Sequence, residues 1–418
     1  MKLFVRHASE IATNTGKRAR HGREMSDLSI IRDGAVLIDD GMIIAVGPTS
    51  ELDERPDIHD AEVLDATGHA MLPGFVDSHT HFIFGGYRAD EFSWRLKGDD
   101  YLSIMERGGG INATVGPTRA ASRKELFSLG WERLNRMLAY GVTTVEGKSG
   151  YGMDHDCEIK MLKVMRDLNE THPITLVSTF LGPHSVLPEY KGKERDFLHF
   201  MLQEVMPEVR RENLAVFADI FCEQGVFSVE DASYYLQEAA RLGFRLKIHA
   251  DEMASIGASE AGINAGAVSA DHLLKIPDPA IEKMARSDTI AALLPLTAFC
   301  LKEPFAPGRK LIDRGCAVAL ATDLNPGSCF SCDIPLLIAL SCIYMGLSIE
   351  EVITALTLNG AAALDMADRT GSIEVGKQAD MLLLSFPSIS YLPYHTGVNL
   401  VETVLKNGRV VIHPTAYR

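Results

Sequence analysis

Two imidazoles spaced two residues apart, His79 and His81, close the apolar run Leu72-Pro-Gly-Phe-Val-Asp-Ser-His-Thr-His81. Strand side chains alternate faces, so residues two apart point the same way and can grip one metal ion. By itself such a pair can equally cap a buried strand, so the weight falls on whether other ligands arrive at the same place. Polar groups recur where apolar runs end: His184, His249 with Asp251 and Glu252 behind it, Asp271-His272, and Asp323.

A fold that gathers strand ends would unite them. The pattern predicts strands at Phe75–His81, Thr143–Gly147, Thr175–Gly182, Phe217–Cys222, Arg245–Ala250, Ala267–Leu273, Thr289–Leu294 and Val318–Asp323. Helical stretches alternate with them: Arg123–Tyr140, Cys157–Glu170, Glu194–Arg211, Val229–Leu242, Ala254–Ala265 and Ala280–Arg286. Eight strand-helix units predict a (β/α)8 TIM-type barrel in the α/β class, with its active site at the C-terminal strand ends. Strand eight then neighbours strand one, which brings Asp323 beside His79 and His81, with His249 across the mouth.

Three neutral imidazoles and one carboxylate leave one negative charge to meet a divalent cation, with a position open for water. The donors suit zinc or iron alike, one ion per chain. Such an ion lowers the pKa of water toward neutrality, and the nearby groups can move the protons. Asp323 could take the water's proton, Glu252 could serve a leaving nitrogen, and His272 could donate to a carbonyl oxygen as charge develops on it. Alone, Glu252 reads as a cap for a helix starting near Ala254, and His272 as a core histidine; beside four ligands at barrel ends, the functional reading leads.

Lys148, in Glu146-Gly-Lys-Ser-Gly-Tyr151, ends strand two, whereas the lysine that bridges two metals in some barrel hydrolases sits on strand four. One metal is therefore expected. The Gly141 to Ser149 segment departs from a phosphate loop in spacing and in strand placement, and Gly108-Gly-Gly110 lacks the strand and acid of a dinucleotide site. The latter reads as a substrate-facing loop. Cys329-x-x-Cys332 has no second such pair and reads as loop or helix-start packing.

The chain ends look different from the middle. Asp33-Gly34, Asp40-Gly41 and Asn407-Gly408 are hairpin signals among short strands, and neither end alone has strands enough to bury a face. Residues 1–70 and 370–418 are therefore expected to pair into one accessory β-sandwich, with the barrel spanning 71–369. The 418 residues suit a large enzyme-sized domain with such an addition. A net charge of −15 argues against nucleic acid as a partner and requires a local cationic group wherever an anion binds. Seven scattered cysteines fit a reducing compartment, no stretch reaches the ~20 apolar residues of a membrane span, and the first ten residues lack a secretory pattern. A cytoplasmic protein is expected, with a homodimer as an open expectation.

With these residues in hand, the chain resembles the amidohydrolase superfamily of metal-dependent hydrolases: His-x-His on strand one, His on strands five and six, Asp on strand eight. Gly371-Ser-Ile-Glu-Val-Gly-Lys-Gln-Ala-Asp380 is similar to the segment that re-enters the family's accessory sheet. Further blocks narrow the resemblance: Arg88-Ala-Asp-Glu-Phe92, Arg107-Gly-Gly-Gly-Ile111, Thr118-Arg-Ala-Ala-Ser122, Lys148-Ser-Gly-Tyr-Gly152, Ser269-Ala-Asp-His272 and Thr322-Asp-Leu-Asn-Pro-Gly-Ser328. They are similar to the branch that opens the cyclic amide of 4-imidazolone-5-propanoate to give N-formimidoyl-L-glutamate. That resemblance implies His79, His81, His249 and Asp323 as ligands, and Arg88, Tyr101, Tyr151, His184 and Glu252 as contacts to a small anionic imidazolone. Asn325, Gly327 and Ser328 are implied near the product. Arg88 suits the propanoate chemically, because a guanidinium fork binds a carboxylate bidentately. The competing reading of Arg88 is a local salt bridge to Asp90 or Glu91.

Two other functions compete. A cytosine- or guanine-type deaminase of the same superfamily would use the same metal, Glu and His but has no carboxylate tail to hold, and would release ammonia from a nucleobase. A non-catalytic metal-binding barrel would stay inert after metal is restored.

Overall fold

The computed structural model describes residues 2–98, 107 and 109–412. Eight parallel barrel positions follow the chain in order: Phe75–Asp77, Val142–Lys148, Thr175–Phe180, the split pair Phe217–Ala218 and Phe221–Cys222, Arg245–Ala250, Ser269–His272, Ile290–Leu293 and Val318–Leu320. The seam between the last and the first is closed beyond the strands proper. Asp323 N–H donates to the His79 carbonyl at 3.0 Å and His81 N–H to the Leu324 carbonyl at 2.9 Å. Asp77 adds a carboxylate that accepts from Thr322 N–H and Oγ1.

The first and eighth strands are shorter than the apolar runs predicted, because His79, His81 and Asp323 lie beyond the ladder, whereas Arg245–Ala250 has the predicted bounds and keeps His249 paired with Phe221 and Asp271. His272, Leu273 and Asp323 have positive φ angles of 79°, 61° and 53°, a left-handed backbone that non-glycine residues adopt only where surroundings impose it. Strand four is interrupted at Asp219-Ile220, where Asp219 N–H still donates to the Phe180 carbonyl of strand three and the Ile220 carbonyl accepts from His249 N–H of strand five.

Helices begin where polar caps stand. Ser122 and Ser348 form capping boxes with Glu125 and Glu351, and Asp154, Ser228 and Asp333 accept from the first turns of their helices. One predicted start is corrected: the helix expected from Ala254 runs Ala258–Ala265. Gly257, at φ 94°, precedes it, so Glu252 is not its cap. The stretch Glu194–Arg211 is also not uniform, since Met201–Val205 is wound as a π-helix.

Strands from both ends form a second sheet, in the order Arg409–Ile412, Val401–Lys406, Met381–Leu384, Ala70–Pro73, Lys2–Ala12, Ile30–Asp39, Met42–Pro48, with Glu62–Asp65 also against Lys2–Ala12. Its faces alternate as period-two strands require: Leu3 and Val5 pack on one side, Phe4 on the other. Asp40-Gly41 and Asn407-Gly408 make hairpin turns, but Asp33-Gly34 does not. It lies within one strand, opposite a register shift between Val5 and Ala8, where His7 Nδ1 sits 3.1 Å from Asp33 Oδ1. Ala70–Pro73 belongs to this sheet and runs directly into the first barrel strand, so the two sheets share one backbone at the entrance to the histidine pair. Among the described residues no helix is long and apolar enough to cross a membrane.

Candidate active site

The first, fifth and eighth strand ends bring four predicted ligands together. His79 Nε2 and His81 Nε2 are 3.2 Å apart, and His81 Nε2 and His249 Nε2 are 3.4 Å apart. Asp323 Oδ1 lies 3.6 and 3.5 Å from Nε2 of His79 and His81. All four side chains are buried.

Their outer atoms decide what faces inward. His79 Nδ1–H donates to Asp271 Oδ2 at 2.6 Å, so its Nε2 presents a bare lone pair. His249 Nδ1 lies 3.0 Å from Asp219 Oδ2, short of hydrogen-bond alignment. Asp323 Oδ2 accepts from Thr297 Oγ1 at 2.7 Å, which turns Oδ1 toward the histidines. Burial, reinforced by Lys148 and the neighbouring rings, holds His79 and His249 well below the usual imidazole range; burial, then the neighbouring rings, does so for His81. The Nε2 atoms of three neutral imidazoles and one carboxylate oxygen thus converge within 3.6 Å of their neighbours, a donor set that a divalent cation would hold in coordination. The donor set fits a metal.

A cavity of about 520 Å³ opens above this cluster, reached by Arg88, Tyr151, His184, Glu252, His272, Asn325 and Ser328. A larger groove of about 900 Å³ between helix Arg123–Ala139 and the terminal sheet contains no histidine. His184 stacks on His81 with centroids 4.7 Å apart, and its Nδ1–H donates to the Gly150 carbonyl, which leaves Nε2 bare. Tyr151 packs against both rings. Glu252 lies with Oε1 3.6 Å from His272 Nδ1, and Met253 N–H is anchored on Glu223 Oε2. Burial, with Asp323, Glu223 and Glu303 adding repulsion, pushes the Glu252 carboxyl up to about 8; burial holds His272 down to about 4. At neutral pH this is a protonated acid beside a neutral imidazole.

Arg88 meets Glu91 in a bidentate pair, Nε to Oε2 at 2.9 Å and Nη2 to Oε1 at 2.5 Å, so the local salt bridge is formed. Its Nη1 makes no hydrogen bond among the described residues and borders Gly327, where a Cβ would stand 2.2 Å from it, so any side chain there would displace the guanidinium. The Asn325 amide is spent inside its own loop, accepting from Gly327 N–H and Ser328 N–H and donating to Ser328 Oγ and the Asp323 carbonyl. Tyr101 and Gly108 lie outside the described residues.

Sequence reasoning gave no supporting role to the groups behind the predicted ligands: Asp219, Asp271, Thr297 and the ammonium of Lys148. Asp219 and Asp271 did carry a signal, since each is an acid inside an otherwise apolar strand. Thr297, which follows Pro295 on a helix, carried none.

The amidohydrolase family model matches residues 70–411, and that of the bacterial imidazolonepropionase-like composite domain matches residues 34–55. The imidazolonepropionase of Parabacteroides distasonis is 55% identical over 98% of each chain, and that of Clostridium tetani 48% identical over 98% of each. A solved adenosine deaminase from Xanthomonas campestris with bound zinc has a TM-score of 0.71 at 19% identity, covering 99% of this chain and 93% of that one. That likeness concerns the fold. The chain belongs to the amidohydrolase family, in its imidazolonepropionase branch.

Proposed function

We propose that this enzyme hydrolyses the ring amide C–N bond of 4-imidazolone-5-propanoate, giving N-formimidoyl-L-glutamate in histidine degradation. The observation that carries the reading is the gathering around one cavity of the predicted ligand cluster, Glu252 and an Arg88 Nη1 that makes no hydrogen bond among the described residues. The full-length relatives named imidazolonepropionase support it.

In this reading His79, His81, His249 and Asp323 hold one divalent metal, zinc or iron, which when bound supplies Lewis acidity and lowers the pKa of water. Asp323, pushed up to about 7 by burial, accepts a proton from the attacking water at neutral pH. Glu252, protonated below about 8, delivers a proton to the leaving ring nitrogen. His272, neutral and with Nδ1 unpartnered, donates to the carbonyl oxygen as charge grows on it. Arg88 offers Nη1 to the propanoate while Glu91 fixes the guanidinium plane. His184 and Tyr151 wall the ring.

The test is direct. Purified, metal-loaded protein should consume imidazolone propanoate with stoichiometric N-formimidoyl-glutamate and no ammonia. Ammonia release from cytosine or guanine in its place would assign the site to a deaminase, and no turnover of either after zinc or iron is restored would assign it to binding alone.

A further inference from the structure

Beneath the ligands, toward the barrel interior, lies a closed layer of charge that the proposed reaction does not use. Lys148 Nζ stands 2.7 Å from Asp219 Oδ2, 3.0 Å from Glu146 Oε2 and 3.5 Å from Asp271 Oδ2. Lys247 Nζ completes the layer, 3.1 Å from Glu146 Oε1 and donating to the Ser78 carbonyl. All five side chains are inaccessible to solvent. Three carboxylates thus share two ammonium groups, and only Lys148 touches all three.

Two of those carboxylates reach the metal cluster. Asp271 uses the same Oδ2 to accept from His79 Nδ1, and Asp219 uses the same Oδ2 that approaches His249 Nδ1. One ammonium therefore stands behind ligands on strand one and strand five at once. His79, Glu146 and Asp271 by themselves bring donor atoms close enough to hold a cation. Lys148 Nζ already supplies a positive charge at two of these three groups.

We propose that Lys148 is a positioning residue for the metal centre: its ammonium is the resident cation of the inner acidic cluster, and through Asp271 and Asp219 it holds His79 and His249 with Nε2 turned to the metal. This rests on the reading that His79, His81, His249 and Asp323 hold the ion. Burial alone would pull the lysine's pKa down, but Asp219, Glu146 and Asp271 together outweigh it and raise it, so the charge is permanent. Without the ammonium the two aspartates repel each other and Glu146 in a dry interior, and their hold on the imidazoles is lost.

The experiment is zinc affinity by chelator competition for the full chain, with apo melting measured alongside. Lys148→Met should bind zinc ten- to a hundredfold more weakly, the range seen when partners behind metal ligands are removed. With cobalt(II) in place of zinc, its visible ligand-field bands should shift, a readout that a loss of packing alone would not move. Zinc affinity within twofold of wild type in Lys148→Met would overturn the proposal. Should that variant fail to fold, Asp219→Asn with and without Lys148→Met tests the same point, because removing the aspartate's charge relieves the cluster while the route through Asp271 remains. Zinc should bind at least fivefold more weakly in the double variant, and equal affinity overturns the proposal. A wild-type chain that binds neither zinc nor ferrous iron would overturn the metal reading itself, whereas wild-type binding with an unmoved variant overturns this inference alone.

Discussion

Among the described residues the chain buries a lysine on an aspartate in two places, with different results. In the terminal sheet Lys406 Nζ meets Asp380 Oδ2 at 2.6 Å, both side chains buried, while Asp380 also accepts from Asn407 N–H and Thr370 Oγ1. Every bond of that carboxylate ends in a backbone group, a hydroxyl or its own cation. In the barrel, Lys148 shares three carboxylates, and two of them face onward to the imidazoles of His79 and His249. The difference teaches that a buried ion pair is structural when its acceptor is closed and becomes part of a site when the acceptor still addresses something that can bind.

That contrast can be broken at several depths. The largest effect belongs to His249→Ala, which should lose metal and at least about a thousandfold of kcat together; metal content by elemental analysis that stays at the wild-type level would remove His249 from the ligands. Glu252→Gln should keep the metal and lower kcat by about 10² to 10⁴. Because the raised carboxyl is an acid only below about 8, wild-type kcat should fall as pH rises through that value, and the variant should lack this alkaline limb. A pH profile with the same limb in both proteins would take Glu252 out of proton transfer. Arg88→Ala should leave metal and most of kcat in place while raising KM by ten- to a hundredfold, roughly 1.5–3 kcal/mol for one charged hydrogen bond; an unchanged KM would confine Arg88 to its pair with Glu91. Least of all at the site, Lys406→Met should cost about 3–5 kcal/mol of stability in denaturant melts yet leave zinc affinity of the folded protein unmoved. A shift in zinc affinity there would erase the distinction between the two pairs.

Much of this was legible in the sequence, for a physical reason. Parallel barrel strands are buried on both faces and read as short apolar runs, so all eight could be counted, and a histidine or acid at the end of such a run stands out against it. The Asp-Gly at 33–34 misled because the same dipeptide serves a hairpin or a bulged strand, and only the partner strand, with His7 set against Asp33, decides between them. The start of helix Ala258–Ala265 was placed four residues early because Glu252 and Met253 belong to a loop held from strand four by Glu223. The supports of the ligands were harder still. Asp271 finds His79 across 192 residues of chain, and nothing local to either reveals the pairing. Lys148 was noticed as a candidate metal bridge, but its three carboxylates come from three different strands, and closure alone brings them to one ammonium.

One feature of the fold reaches past catalysis. The barrel's last and first strands are joined at their C-terminal ends by the two backbone hydrogen bonds that flank His79, His81 and Asp323. If His79, His81 and Asp323 hold an ion as proposed, it would act as a rivet across the barrel's one discontinuity in chain order. Starving the protein of metal would therefore soften the seam before the rest of the wall, and the place where a protease first gains purchase would be set by the supply of an inorganic ion.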